Sequence, residues 1–292
     1  MTLSTDDLQI REILASKNSS ACEDCFLGFL VWREKYGFKL CSDCKSFVIR
    51  IEKNNSFYFP FSSDKSAVKE TVQKLLEKKD LCFERITAEQ VKFLEEEFPL
   101  TFEIEEDRGN SDYIYSIEAL SSLVGKKLSK KRNHINGFLS QYNDWSVKML
   151  DSENIAEVLD FADKWYLSRL ESEGKNPSLD FEQKAMHEFL PCLDQIGADG
   201  IVLYVNGKVA AFTAGQRISP TVYDTVFEKA SDEVKGSYNM INREFAKILK
   251  NKYPDLLYIN RESDVNHPGL RQAKLSYMPE RILSKYIARV KK

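Results

Sequence analysis

The chain has 292 residues, enough for one large domain or two of ordinary size. It is 42% hydrophobic and 30% charged, which supports a real core under a solvated surface, and its net charge of −3 lacks the basic excess of a general nucleic-acid binder. Its longest apolar runs, Phe26 to Trp32 and Gly200 to Val205, fall far short of the roughly 20 residues a membrane helix needs.

The opening stretch is acidic and amphipathic, without the basic start of a signal peptide, so a cytoplasmic location is expected. There the six cysteines stay reduced and do not form a disulfide framework.

The first half predicts an amphipathic segment over Thr5 to Ser16 and a helix carrying Phe26, Phe29, Leu30 and Trp32. Strands follow over Phe38 to Cys41, Lys45 to Ile51 and Ser56 to Phe61, with a turn at Lys53-Asn54-Asn55. A helix over Lys65 to Lys78, a strand over Leu81 to Ile86, a helix over Ala88 to Glu97 and a strand over Leu100 to Glu105 complete it. A basic helix, Gly125 to Asn143, links the halves.

The second half predicts a strand over Trp145 to Leu150, then helices over Ile155 to Glu171 and Phe181 to Leu190. Strands Gly200 to Val205 and Lys208 to Ile218 flank Asn206-Gly207, a strong hairpin signal. Strand Thr221 to Lys229, helix Ser237 to Lys252, strand Leu256 to Asn260, a short helix near Pro268 to Ala273 and strand Arg281 to Val290 close the chain. Both halves share one order of elements, and that order matches the GNAT acyltransferase fold. The expected class is α/β (α+β), with two tandem GNAT-like domains, 1–143 and 144–292, each a mixed, mostly antiparallel sheet flanked by helices.

Four features carry candidate chemistry. Cys22, Cys25, Cys41 and Cys44 have zinc-like spacing. Their flanks are acidic or apolar, and they open a helix and bracket a hairpin turn, so small buried thiols compete with a metal site. The basic helix places Lys131 and Arg132 beside its apolar stripe of Leu128, Ile135, Leu139 and Tyr142, where they could bind phosphate or carboxylate. Gly236 and Ser237 open a helix where GNAT enzymes seat the acyl-CoA pyrophosphate, yet the usual glycine-rich loop is replaced by acids. Finally, Asn260-Arg261-Glu262-Ser263-Asp264 follows an apolar strand, and Arg271 and Lys274 share a face of the next short helix. This corner could be a salt-bridged structural element or a pocket for a zwitterionic or anionic group.

Three blocks together resemble a known family: Gly125-Lys126-Lys127 with Lys130-Lys131-Arg132-Asn133; Lys229-Ala230 with Gly236-Ser237-Tyr238 and Ile241-Asn242; and Asn260-Arg261-Glu262-Asp264 with Gly269-Leu270-Arg271, Lys274, Ser276-Tyr277 and Pro279. The chain is similar to the bacterial family related to the C-terminal catalytic domain of phosphatidylglycerol lysyltransferases. The resemblance implies tandem GNAT-like domains and transfer of an aminoacyl group from aminoacyl-tRNA rather than acetyl from CoA. Acyl-CoA or aminoacyl-tRNA is then a donor substrate, not a resident cofactor. The implied partners are a small-molecule acceptor and tRNA, without integral membrane contact.

The site residues expected are Glu262 and Asp264, with Glu228, as catalytic acids. Lys131, Arg132, Asn260, Arg261, Arg271, Lys274 and Tyr277 would bind substrate, and Gly236 and Ser237 would face the donor. The competing expectation is a module that binds a small charged ligand without turnover.

Overall fold

The computed structural model describes residues 5–41, 44–78 and 80–292. Positions 42 and 43, inside the second cysteine pair, lie outside the described residues.

The N-terminal half contains α1 (Thr5–Ala15), α2 (Phe26–Tyr36), β1 (Phe38–Cys41), β2 (Val48–Ile51), β3 (Ser56–Phe57), α3 (Lys65–Leu76), β4 (Cys82–Thr87), α4 (Ala88–Glu97) and β5 (Phe102–Glu106). Then come β6 (Asp112–Ser116), α5 (Ile117–Ser122) and α6 (Ser129–Gln141). Local chemistry explains the boundaries. Cys25 caps α2, and Gly37 ends it at φ +63°. Thr87 and Gln90 form a reciprocal capping box on α4.

The C-terminal half contains β7 (Trp145–Met149), α7 (Ile155–Glu173), α8 (Pro177–Phe189), α9 (Leu193–Ile196), β8 (Ala198–Val205), β9 (Lys208–Arg217), β10 (Val222–Ala230), α10 (Ser237–Lys252), β11 (Tyr258–Asn260), α11 (Pro268–Leu275), β12 (Arg281–Leu283) and β13 (Lys285–Val290). The β8–β9 turn places Asn206 and Gly207 both at positive φ, the geometry that suits a two-residue hairpin. Every residue of β8 is buried, because helices cover both faces of the sheet.

The first sheet has the order β1-β2-β3-β4-β13-β5, and the second β12-β6-β11-β10-β9-β8-β7. The halves exchange strands. β6 sits between β11 and β12, while β13 sits between β4 and β5. The strand predicted over Arg281 to Val290 is therefore two strands, split at Ser284 between two sheets. β6 and α5 carry no expectation from the sequence. Both sheets thus cross the 143/144 boundary. α6 also packs against α10 rather than against the first sheet.

One buried cluster pins this exchange. Lys285, at the start of β13, is fully buried. It pairs with Glu23 and lies 3.1 Å from Asp112, the first residue of β6. Asp112 also accepts from Cys22 N at 3.0 Å and from Asn260 Nδ2 at 3.0 Å. Burial pushes the lysine pKa down, but the two carboxylates win and hold it well above its ordinary value. Removing one member strands the others unpaired in the interior. Lys285→Met should lower unfolding free energy by about 3–5 kcal/mol, read from urea titration followed by tryptophan fluorescence.

Candidate functional site

β10 and β11 run parallel only as far as the pair Asp224 and Asn260. β10 then continues along β9 to Ala230, while the chain after Asn260 parts from β10 and stays bonded to β6 through Arg261 N to Tyr113 O at 3.0 Å and Tyr113 N to Glu262 O at 3.2 Å. Asn260 Oδ1 accepts from Glu262 N at 2.7 Å, and Glu262 turns at φ +53°. The two strands open like a V, and residues 261 and 262 project to opposite sides of it.

One side is basic and aromatic. Arg261 crosses the opening to Glu228 on β10 at 2.5 Å. Its guanidinium lies 5.0 Å from the Tyr277 ring centroid and 5.7 Å from that of Tyr115, and its Nη1 is buried without a hydrogen-bond partner. Lys274 donates to the Arg261 carbonyl. Lys131 reaches in from α6 and sits 3.9 Å from the Tyr277 ring centroid. Burial, then the Arg261 charge, brings Lys131 down to about 8, and burial brings Lys274 to about 8 against the pull of Glu262, with Arg261 adding to the fall. α10 braces the group: Asn239 donates to the Tyr277 hydroxyl at 2.6 Å and Asn242 to Glu228 at 3.3 Å.

The other side is a cavity of about 70 Å³ between α2, the first sheet and the loop after β11. Trp32, Tyr36 and Tyr58 form part of its wall, and Arg85, Glu23 and Glu262 supply charge. Among the described residues the Glu262 carboxylate has no hydrogen bond and no ion pair. Burial raises its pKa to about 7 against the pull of Lys274. Behind it, Asp224 is fully buried and neither of its oxygens has a hydrogen-bond partner. Burial, then the charge of Glu262, raises its pKa well above its ordinary value.

The other expected residues have separate places. Asp264 is buried under Arg271, which meets it at 2.8 and 2.9 Å, with Tyr113 at 2.6 Å and Arg108 at 3.3 Å. Burial alone would raise its pKa, but Arg271, Tyr113 and the Asn266 backbone N–H bring it down to about 2. It is a fixed anion that anchors α11, and Arg271 is its partner. Arg132 turns away from the V and donates to the Leu123 and Gly125 carbonyls, closing the end of α5. The apolar stripe of α6 also runs through Phe138 rather than Leu139, which is exposed.

Gly236 stands at φ +86° with α6 against it: a Cβ there would come 2.9 Å from the His134 carbonyl oxygen. Ser237 is buried and donates to Ser231 O at 3.0 Å. α6 therefore packs against one side of the N-terminus of α10, while Asp232, Glu233 and Lys235 before it are exposed.

The four zinc-spaced cysteines do not converge. Cys22 donates to Asp112 at 3.2 Å, Cys25 caps α2, and Cys41 lies 3.4 Å from Cys44. Among the described residues the metal-capable grouping is Cys22, Glu23 and Asp112. Lys285 already occupies both of its carboxylates.

Arg85 is the site residue that no local sequence signal marks. It sits at a bulge in β4 opposite β13 and has φ +56°. Only the return of a distant strand creates that bulge.

The family model for the C-terminal part of phosphatidylglycerol lysyltransferase matches residues 14–289. The chain belongs to that family. A conserved Bacteroides thetaiotaomicron protein of unknown function is 31% identical, with TM-score 0.86 over 100% of this chain and 99% of its own. A Bacillus licheniformis structure named L-PGS is 15% identical, with TM-score 0.66 over 98% and 92%. FemX is 11% identical, with TM-score 0.61 over 100% and 97%. These likenesses place the lysyltransferase-family chain in the tandem GNAT-like fold. A Mycoplasmoides gallisepticum relative is 24% identical over 183 residues, and the match spans 56% of that protein. Family and fold are of the GNAT-like aminoacyltransferase type. Among the described residues no helix is long and apolar enough to cross a membrane.

Glu262 gives a pH signature. Its raised pKa means that the folded state holds its proton more tightly than the unfolded chain does. Its contribution is therefore full at low pH and falls as pH rises from its ordinary value of 4.5 to about 7. Glu262→Gln should then be more stable than the parent at pH 8, with the difference shrinking by pH 5, read from melting temperatures across that range.

Proposed function

We propose that the chain is an aminoacyltransferase that takes an aminoacyl group from aminoacyl-tRNA and passes it to a small acceptor. The observation that carries this is the unpartnered Glu262 carboxylate at a small cavity, back to back with the Arg261–Lys274–Lys131 groove across one strand end. Glu262, poised near neutrality, takes a proton from the acceptor. The cations on the opposite side of the strand end bind phosphate of the donor and hold it against the site.

The choice of donor rests on two features. The exposed acids Asp232 and Glu233 precede the N-terminus of α10, and their charge disfavours a CoA pyrophosphate there. Lys126, Lys127 and Lys130 are exposed at the start of α6 and stand in no ion pair among the described residues, so they are open to RNA phosphates.

The test is a transfer assay with labelled aminoacyl-tRNAs and acyl-CoAs. Aminoacyl-tRNA should be consumed in the presence of acceptor, with a rate that rises as pH passes about 7. Glu262→Gln should slow the reaction by about 10²- to 10⁴-fold. Faster turnover of an acyl-CoA, or full activity of the Gln variant, would overturn the reading.

A further inference from the structure

The cavity carries a feature that aminoacyl transfer alone does not require. Two residues of opposite charge line it, Arg85 from the first sheet and Glu262 from the end of β11. Both are non-glycine residues held in the left-handed region, at φ +56° and +53°. Such backbone costs about 1–3 kcal/mol per residue and persists only where the surrounding structure imposes it. Yet the two do not pair with each other: no ion pair joins them among the described residues. The third charge on the wall, Glu23, is already committed to Lys285.

Arg85 is held for use. Its guanidinium lies 4.7 Å from the Tyr36 ring centroid, and Nη1 donates to the Tyr58 hydroxyl at 3.2 Å. Its Nε is buried with no hydrogen-bond partner. A fixed guanidinium on the cavity wall suits an incoming carboxylate. Facing it, Glu262 offers an acceptor for an ammonium. The cavity of about 70 Å³ has room for roughly five water-sized groups, the size of an amino-acid head group.

We propose that this cavity binds the zwitterionic head of a free α-amino acid, its carboxylate on Arg85 and its ammonium on Glu262, and that this amino acid is the acceptor. The role as acceptor rests on the transfer reading; the binding does not. A donor aminoacyl group has its carboxyl esterified and brings no carboxylate for Arg85, so the free acid belongs to the acceptor. In the transfer the ammonium gives a proton to Glu262 and the neutral nitrogen attacks the ester carbonyl. A C–N bond forms and the C–O bond to the tRNA 3′ oxygen breaks. Glu262 passes its proton to that oxygen, and the second proton from nitrogen is released to water. The product is an amide that keeps the acceptor's carboxylate.

The test uses the whole chain without tRNA. Its melting temperature is measured against a panel of free amino acids, their C-terminal amides and their N-acetyl derivatives. At least one free amino acid should raise the melting temperature, while its amide and its N-acetyl form bind at least tenfold more weakly. Arg85→Gln should weaken the acid by a similar factor and leave the amide unchanged. Because the acid–amide comparison is made on the unaltered chain, it stands even if that variant fails to fold. An amide that binds as tightly as its acid, or a panel with no effect, overturns the proposal. Binding without any transfer supports the site and overturns the transfer reading instead.

Discussion

The structure turns on one buried cation. Lys285 begins the last strand, and it is fully buried against Asp112 and Glu23. A lysine is tolerated there only because two carboxylates meet it, and those carboxylates come from a turn before α2 and from β6. Asn260 joins the same cluster through Asp112. Four distant segments are thereby held in one register.

That register builds the site. With β6 between β11 and β12, the chain after Asn260 follows β6 and parts from β10. With β13 between β4 and β5, β4 bulges and Arg85 is pushed inward. The cavity lies where the two sheets lend each other a strand, so neither half contains a complete site. A polar cluster of this kind contributes little to net stability compared with an apolar core of the same volume.

The second constraint is α6. Its basic residues divide by position. Lys126, Lys127 and Lys130 stay exposed, Lys131 enters the groove above Tyr277, and Arg132 closes α5. The same helix covers Gly236. One element therefore packs against the glycine that opens α10 and presents a basic edge.

Much of this is legible in the residues themselves. Helical periodicity, the Asn206-Gly207 hairpin and the Thr87–Gln90 box are local, and α4 and α10 have the bounds that their sequences predict. Polar residues directly after an apolar strand mark Asn260 to Asp264 as a crevice before any fold is known. Charge alone does not separate Glu262 from Asp264, two residues apart. Asp264 is saturated by Arg271, Arg108 and Tyr113, and Glu262 is left without a partner. That difference depends on Arg108 and Tyr113, about 150 positions away. Arg85 and β6 are invisible for the same reason. The sequence by itself determines which segments form helices and strands, because those preferences act over a few residues. Only the tertiary structure decides which strands trade sheets and which acid is free, because burial and pairing are properties of neighbours that the chain order does not name.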